Sequence, residues 1–412
     1  MINKNKKIIF LEPEMEGGMG HHMDNLIESS IFFSKKFEIF WITNKDFKSD
    51  NLFIPEFVCN FKIINNFKKK NISQNCYKFL FDLVLNFIFI IKKIKEKKFL
   101  IFFKVFKENY FTFPEYFCSF NKLFHKIDVT ENDVIIVQSC RPKDLELIHF
   151  ILKLYKKSPK VILRVLFPPK KKKLKNFFYF YKKLKSDETT KNKIRIYTEV
   201  SSVKKTIENE LHCKIDNFTQ IYTFFNRKKN NELITGFLGE SRIDKGFDKL
   251  PDLISQLSHK KNDTKFIIQF SKKIYKETEL YKKKIIEQEL TNNNINLYKG
   301  YLDYDFYRNL LKKITIMPIL YTVDQVNNLG SGLFFSCITH EIPMVIPKGA
   351  EQLKQYLKVN NFLEASSTDE YVEKIIEIHN NYDYFLNESK KLSRIYFENI
   401  KKDKLVNDVL NN

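Results

Sequence analysis

The chain has 412 residues, 43% of them hydrophobic and 29% charged, which is long enough for two domains and excludes a globally disordered chain. Lys and Arg number 71 against 49 Asp and Glu, a formal net charge of +22, but only seven of the 71 are Arg. Because base-specific contacts usually rely on Arg, this charge argues against nucleic acid as a partner. A compositional bias towards Lys, Asn and Ile explains part of the positive charge. The remainder favours contact with an anionic ligand or an anionic membrane surface.

The first half of the chain alternates short apolar strands with helices. Strands are predicted over residues 7–12, 37–43, 58–64, 133–137, 160–167 and 193–197. Helices are predicted over residues 21–35, 142–155 and 200–211, a Phe- and Lys-rich helical region over 75–124, and a loop over 168–173. This alternation predicts a parallel sheet with helices on both faces.

A second alternating series follows the polar stretch at residues 226–231. Its predicted strands are 232–238, 265–270, 296–299, 315–320 and 344–346, and its predicted helices are 247–257, 272–290, 304–312 and 332–340, followed by more than one helix over 368–411. The sequence therefore predicts an α/β fold with two Rossmann-like domains facing a cleft, one over residues 1–228 with the helical insertion and one over residues 229–412. The terminal helix is expected to cross back to the first domain.

Cysteine usage and the apolar segments predict a cytoplasmic protein. Six scattered cysteines form no CxxC pair and predict no metal site; they are Cys59, Cys76, Cys118, Cys140, Cys213 and Cys337. The amino terminus lacks the apolar core of a signal peptide, and the most apolar stretch, residues 79–91, is too short and polar to span a membrane. Residues 79–98 are interpreted as a core helix. The alternative is peripheral docking on the inner face of the membrane through this segment and the Lys run 170–173.

Glycines follow the first predicted strand. Gly17, Gly18 and Gly20 precede His21 and His22, in a turn where a ligand would approach the backbone closely and meet the amino terminus of the next helix. His21 or His22 would be placed to act as a base or hydrogen-bond donor towards a hydroxyl of that ligand. The alternative is a tight turn with structural histidines.

A basic loop follows the first strand of the second half. Gly239, Arg242, Lys245 and Gly246 stand together, with the two cations three residues apart. Cations at this spacing near a helix start pair well with a diphosphate. The alternative is a solvated basic loop.

Two further turns follow predicted strands. Gly330, Ser331 and Gly332 open an apolar helix whose N–H groups would hold phosphate oxygens, although Ser331 also suits a simple helix cap. In the first half, Thr198 and Glu199 follow the last clear strand, where a capping Thr is an equally good interpretation.

These segments resemble motifs of GT-B glycosyltransferases. The phrase GFLGESRIDKGFDKLPDLISQL is similar to the start of their nucleotide-binding domain, where an Arg and a Lys-Gly pair contact the donor diphosphate. Residues 318–347 resemble the family's later motif, and GGMGHHMDN its acceptor-side glycine loop. The resemblance is to retaining, family 4/1-like enzymes of bacterial surface polysaccharide synthesis. It implies that Arg242 and Lys245 stabilise the leaving diphosphate, with His21 as a third catalytic residue.

The resemblance also implies the donor-binding residues, which are Gly239, Gly246, Asn328, Gly330, Ser331, Gly332 and Ser336. Two of them depart from the family, because Glu is usual at the positions of Asn328 and Ser336, where it binds the ribose and steadies the leaving group. Asn and Ser still hydrogen-bond hydroxyl groups, but without charge assistance. Glu341 stands at a position that is usually Gly.

The sequence predicts transfer of a sugar from a nucleotide diphosphate sugar to a hydroxyl of a glycan or lipid-linked acceptor, in surface glycan, lipopolysaccharide or capsule synthesis. No metal and no cofactor is expected; the nucleotide sugar is a substrate. One alternative is a non-catalytic GT-B-like protein that binds nucleotide or glycan, which Asn328 and Ser336 favour. A sugar-nucleotide epimerase on the same fold is another, but it would need clustered carboxylates and His in the cleft.

Overall fold

The computed structural model describes residues 6–12, 21–43, 61–65, 127–140, 144–145, 148–149, 152, 158–166, 171–188, 190–212, 214–270, 276–328 and 330–411. The helical region predicted over 75–124 lies outside the described residues, as do Gly17, Gly18 and Gly20 and most of the helix predicted over 142–155.

In the described part of the first half, parallel strands form a seven-stranded sheet. The strands are β1 (Lys7–Glu12), β2 (Glu38–Thr43), β3 (Phe61–Asn65), β4 (Val134–Val137), β5 (Lys160–Arg164), β6 (Ile194–Thr198) and β7 (Asp216–Asn217). Their order is β3-β2-β1-β4-β5-β6-β7, so the connection reverses direction between β1 and β4. The described helices are α1 (His21–Ser34), α2 (Lys171–Ser186) and α3 (Ser201–Leu211).

The second half contains two three-stranded parallel sheets that a bridge between Thr235 and Ile316 joins edge to edge. The strands are β8 (Ile234–Phe237), β9 (Lys265–Phe270), β10 (Ile295–Lys299), β11 (Met317–Pro318), β12 (Met344–Pro347) and β13 (Phe362–Ala365). The combined order is β10-β9-β8-β11-β12-β13. The helices are α4 (Leu250–Lys260), α5 (Glu279–Thr291), α6 (Tyr304–Lys313), α7 (Val323–Asn328), α8 (Gly332–Thr339), α9 (Glu351–Lys354), α10 (Thr368–Asn380), α11 (Tyr382–Lys402) and α12 (Lys404–Leu410).

Strand β1 shows why an unbroken apolar run becomes a central strand. Ile8, Ile9, Phe10 and Leu11 are each at most 1% exposed. Because successive side chains point to opposite faces, Ile8 and Phe10 pack into one core cluster while Ile9 and Leu11 pack into another. Each buried side chain of this size stabilises the fold by about 1.5–3 kcal/mol. The predicted α/β architecture, with parallel sheets covered on both faces, is confirmed.

Some predicted boundaries differ from the structure. The loop predicted over 168–173 is shorter, because α2 begins at Lys171 and buries Phe177, Tyr181 and Leu184 along one face. The helix predicted from residue 247 begins at Leu250, after a 3-10 turn that Gly246 closes with a positive φ. Strands β7 and β13 were not predicted. None of the described helices is long and apolar enough to cross a membrane.

The terminal helices contact the first sheet. At the end of α11, Asp403 Oδ2 accepts a hydrogen bond from the Thr219 backbone N at 2.7 Å. Lys160 Nζ, on β5, donates to the Asp408 carbonyl in α12 at 2.7 Å, and Tyr197 OH, on β6, donates to the Asp408 carboxylate. The last helix therefore fastens to the first half. The boundary between residues 228 and 229 stays a prediction.

Arg227 anchors the segment between the two halves. Its side chain is 2% exposed; its Nε donates to the His340 carbonyl at 2.9 Å, and an Nη donates to the Leu311 carbonyl at 2.5 Å. Its backbone N donates to Glu341 Oε2 at 2.8 Å. Burial lowers the pKa of Arg227, yet a guanidinium remains charged in proteins. Glu341 thus serves the connection between the halves.

We expect Arg227→Ala to lower the free energy of unfolding by about 3 kcal/mol or more, because two buried carbonyl groups lose their donor at about 1–3 kcal/mol each. Urea denaturation would measure this. Lys228→Ala, next to it and exposed, is the control and should leave stability unchanged. Equal effects of the two variants would contradict the anchoring role of Arg227.

Candidate functional site

The candidate site lies beyond the carboxyl ends of β8 and β11, where the strand order of the second sheet changes direction. Ligands of open α/β sheets bind at such switch points. The loop after β8 and the loop after β11 meet there, since the Thr322 backbone N donates to the Asp244 carbonyl at 3.0 Å. The basic loop predicted from the sequence is therefore held against its neighbour.

Gly246 makes this contact possible. Its φ is +73°, and a Cβ built on it would lie 2.1 Å from the Leu320 carbonyl oxygen, so no other residue fits without backbone movement. The contact fixes Lys245, whose Nζ lies 5.7 Å from the centroid of the Tyr321 ring. Lys245 Nζ also lies 3.9 Å from the point where a Cβ on Gly239 would stand, and Gly239 has a φ of +148°. Because Gly239 has no side chain, the space between its backbone and the Lys245 ammonium group is open to a ligand.

Arg242 is held by acidic neighbours on its own loop. One Nη of Arg242 contacts Glu240 Oε2 at 3.1 Å. Its Nε donates to Asp244 Oδ1 at 2.9 Å, and its other Nη donates to Asp244 Oδ2. These carboxylates raise the pKa of Arg242, although burial opposes them. Lys245 has no ion pair among the described residues. Lys245 is thus the cation available to a phosphate, whereas Arg242 would have to exchange a carboxylate for one.

The predicted helix start is present, but Ser331 acts as its cap. The Ser331 hydroxyl accepts a hydrogen bond from the Phe334 backbone N at 3.3 Å, and the side chain is buried. This is the capping interpretation left open by the sequence. Gly332 is the first residue of α8, and Gly330 directly precedes the cap. This turn therefore offers a ligand its backbone N–H groups and not the Ser331 hydroxyl.

Asn328 and Ser336 lie in different surroundings. Asn328 ends α7 and is exposed near the site, whereas Ser336 is 2% exposed within α8 and lies beside the phenol groups of Tyr222 and Tyr307. Asn327, next to Asn328, donates to the Gly349 carbonyl at 3.0 Å and so ties α7 to the loop before α9. In this structure Ser336 does not open to the crevice.

Glu199, which follows β6 in the first half, reaches the same helix start. A Cβ built on Gly330 would lie 1.8 Å from Glu199 Oε1, so the carboxylate contacts the glycine backbone directly. The Glu199 carbonyl accepts hydrogen bonds from Gln352 Nε2 and Tyr356 OH, both at 3.0 Å. Thr198 Oγ1 accepts from the Val200 backbone N at 3.3 Å, but Val200 is the N-cap of α3 and this helix start has no side-chain cap, so the predicted capping role of Thr198 is wrong. The two halves therefore meet at Gly330.

A chain of hydrogen bonds connects Glu199 to Arg164. An Nη of Arg164 donates to Asn25 Oδ1 at 2.7 Å, Asn25 Nδ2 donates to Gln220 Oε1 at 3.4 Å, and Gln220 Nε2 donates to Glu199 Oε2. Tyr222 OH also donates to Gln220 Oε1, at 3.0 Å. All of these side chains are buried.

Burial shifts both charged ends of this chain. It raises the pKa of Glu199, against which Arg164 and the Gln220 hydrogen bond act. Burial also lowers the pKa of Arg164 to about 10, which the charge of Glu199 partly offsets. A carboxyl group and a guanidinium are thus buried in the interface, and the side-chain amides of Asn25 and Gln220 link them through hydrogen bonds. A second pair joins buried Glu28 to partly buried Arg308, with an Nη to Oε1 distance of 3.1 Å.

Sequence reasoning missed Arg164, Asn25 and Gln220. The available signal was Arg164 itself, a cation ending an otherwise apolar buried strand; nothing local marks Asn25 or Gln220. Of the acceptor-side residues, α1 begins at His21, but the side chains of His21 and His22, and all of Gly17, Gly18 and Gly20, lie outside the described residues. Within the described ranges, no group of three or more His, Cys, Asp or Glu is placed to hold a metal ion.

This architecture is that of the GT-B fold, as solved structures show. A mutant of S. aureus TarM in complex with fondaparinux, alpha-GlcNAc-glycerol and UDP matches with a TM-score of 0.61 at 12% identity, covering 98% of each chain. Anabaena HepE in complex with UDP-glucose matches with a TM-score of 0.60 at 9% identity, again over 98% of each chain. A glycosyltransferase from Rickettsia africae matches with a TM-score of 0.55 at 13% identity, over 99% of this chain and 96% of that one.

No protein-family model matches the sequence, and no curated protein matches it. At 9–13% identity, the structural similarity shows the shared fold alone. The fold predicted from the sequence is thereby confirmed, and the site residues stay a prediction.

We expect Gly246→Ala to lower the free energy of unfolding by about 1–2 kcal/mol through backbone strain and by about 1–3 kcal/mol more through the clash with Leu320. Gly349→Ala is the matched control, since Gly349 has a φ of +87° but a Cβ there would meet Val323 Cγ1 at an ordinary 3.7 Å. Thermal and urea unfolding would measure both. A Gly349 variant as unstable as the Gly246 variant would contradict the tight loop contact.

We expect Glu199→Gln to become more stable relative to the wild type as pH rises above about 4.5, the ordinary Glu pKa. The folded-state pKa of Glu199 is raised, so its contribution is fully present below the unfolded pKa and is lost as pH rises through the folded pKa. Urea unfolding at pH 5 and pH 8 would measure the difference. Glu373→Gln, at an exposed position, is the control; a difference for Glu199→Gln that shrinks with rising pH would contradict the burial of the charge.

Proposed function

We propose that the protein is a retaining glycosyltransferase that moves a sugar from a nucleotide diphosphate sugar to a hydroxyl of a glycan or lipid-linked acceptor. The observation that carries this proposal is the contact of Gly246 with Leu320. It holds Lys245, an ammonium group without an ion pair among the described residues, at the switch point of the second sheet. A fixed cation at that point suits a diphosphate.

Lys245 and Arg242 would act on the leaving group. Negative charge grows on the diphosphate as the bond to the sugar breaks, and positive groups fixed beforehand stabilise it without reorganising. The Glu240 and Asp244 carboxylates orient Arg242, and a diphosphate would replace one of them. The resemblance to retaining GT-B enzymes supports retention of configuration, and stabilisation of the leaving group by these two cations would need no metal. His21 is proposed as a catalytic residue on the acceptor side.

The solved structures with this fold support the choice of ligand. TarM was captured with UDP and HepE with UDP-glucose, so we use uridine nucleotides as the first probes. We also propose, from the resemblance to GT-B enzymes, an acceptor in surface glycan synthesis. The apolar and Lys-rich segment 79–98 and the Lys run 170–173 support a cytoplasmic protein that docks peripherally on the membrane.

A second candidate is a non-catalytic protein that binds a nucleotide or a glycan. It is favoured by Ser336, which is buried away from the crevice, and by the uncharged Asn328. Such a protein would bind a nucleotide sugar but would neither hydrolyse it nor transfer its sugar. Release of the nucleoside diphosphate over time, followed with a coupled assay, separates the two candidates.

We expect UDP or UDP-glucose to raise the melting temperature of the wild type and to have no effect on the double variant Arg242→Ala with Lys245→Ala, because the diphosphate loses both cations. A thermal-shift series that also includes GDP, CDP and TDP sugars would measure this. Arg394→Ala with Lys401→Ala, two exposed residues of α11, is the control with the same change in charge and should keep the response.

Two results would contradict the diphosphate site. One is a wild type that no nucleotide sugar stabilises. The other is a response that survives in the Arg242 and Lys245 double variant.

A further inference from the structure

Glu199 places a carboxylate from the first half at the start of α8 in the second half. The side chain is 4% exposed, and its two oxygens have different surroundings. Oε2 accepts the hydrogen bond from Gln220 Nε2. Oε1 contacts the backbone of Gly330 and has no hydrogen-bond partner among the described residues. This buried carboxylate therefore has one oxygen, at the start of α8, left to accept a hydrogen bond.

Gly330 is kept small by this carboxylate. A Cβ at this position would lie 1.8 Å from Glu199 Oε1. The glycine therefore admits the carboxylate, and its loss would displace that group.

The charge of Glu199 restricts what binds beside Gly330. A helix amino terminus attracts anions, but here a carboxylate already stands against it, and a phosphate at the same point would meet a like charge. The ammonium of Lys245 lies on the other loop, beside Tyr321. The site thus offers a cation to the diphosphate and a hydrogen-bond acceptor to groups that carry hydroxyls.

We propose that Glu199 binds the donor sugar, with Oε1 accepting a hydrogen bond from a sugar hydroxyl at the start of α8 while Gln220 holds Oε2. This inference rests on the proposed function and adds to it a specificity residue from the opposite half of the molecule. It also supplies a carboxylate at the start of α8, whereas this sequence has Asn328 where the family usually has Glu. The donor site is then complete only when both halves meet at Gly330.

The test compares binding of UDP-glucose with binding of UDP by isothermal titration calorimetry, using the corresponding GDP, CDP or TDP pair if the thermal-shift series selects another base. Glu199→Ala should weaken UDP-glucose by about 10- to 100-fold, the range for a hydrogen bond to a charged group, and leave UDP unchanged or tighter. Glu199→Gln should lose less, because the amide oxygen still accepts. Gly330→Ala should reproduce the loss by displacing the carboxylate.

Glu28→Ala is the matched control. Glu28 is also a buried carboxylate between the halves, but both of its oxygens are occupied: Oε1 accepts from Tyr304 OH and Oε2 from the Thr223 backbone N, each at 2.6 Å. Its loss should change stability and leave the ratio of UDP-glucose to UDP affinity as in the wild type.

Three results would overturn the inference, and each has its own meaning. Unchanged affinity for both ligands in Glu199→Ala would make Glu199 a structural residue. Equal weakening of both ligands would move its contact to the ribose, and equal tightening would make it a carboxylate that competes with phosphate. Failure of the wild type to bind any nucleotide would instead remove the proposed function on which the inference rests.

Discussion

The contact between the Glu199 carboxylate and the Gly330 backbone is the constraint on which the candidate site depends. It joins the end of β6 to the start of α8, two elements about 130 residues apart in sequence. The Glu199 carbonyl is fastened to Gln352 and Tyr356, so backbone and side chain of one residue both bind the opposite half. Since buried polar groups need partners, this arrangement fixes the relative position of the halves more narrowly than apolar contact would.

The guanidinium of Arg242 is already paired with two carboxylates of its own loop. Arg242 is held between Glu240 and Asp244, so an arriving diphosphate exchanges one anionic partner for another instead of meeting a free guanidinium. Exposed ion pairs contribute little stability, and the exchange is therefore easy. Lys245 differs, because the Gly246 and Leu320 contact positions it without neutralising it. Arg242 would therefore bind a diphosphate by exchanging a carboxylate for it, whereas Lys245 would bind it directly.

Among the described residues, most strands and helices and the position of the loop after β8 could be predicted from the sequence, because these depend on local patterns. Unbroken apolar runs such as β1 mark buried parallel strands, and Gly246 after two cations marks a tight turn. The chain Arg164, Asn25, Gln220 and Glu199 was not predictable in the same way, because its members come from four separate segments. Ser336 shows the converse, since a family position placed it in the donor site while helix packing turned it towards Tyr222 and Tyr307.

The cost of the buried charges bears on why they are present. Burial raises the pKa of Glu199 and lowers that of Arg164, so each ionised form is destabilised inside the interface. Apolar residues of similar volume would often give equal or greater stability. The pair therefore contributes little to stability. Its position, where β5, β6, α1 and the start of α8 converge, fits the proposed contact of the Glu199 carboxylate with a sugar hydroxyl.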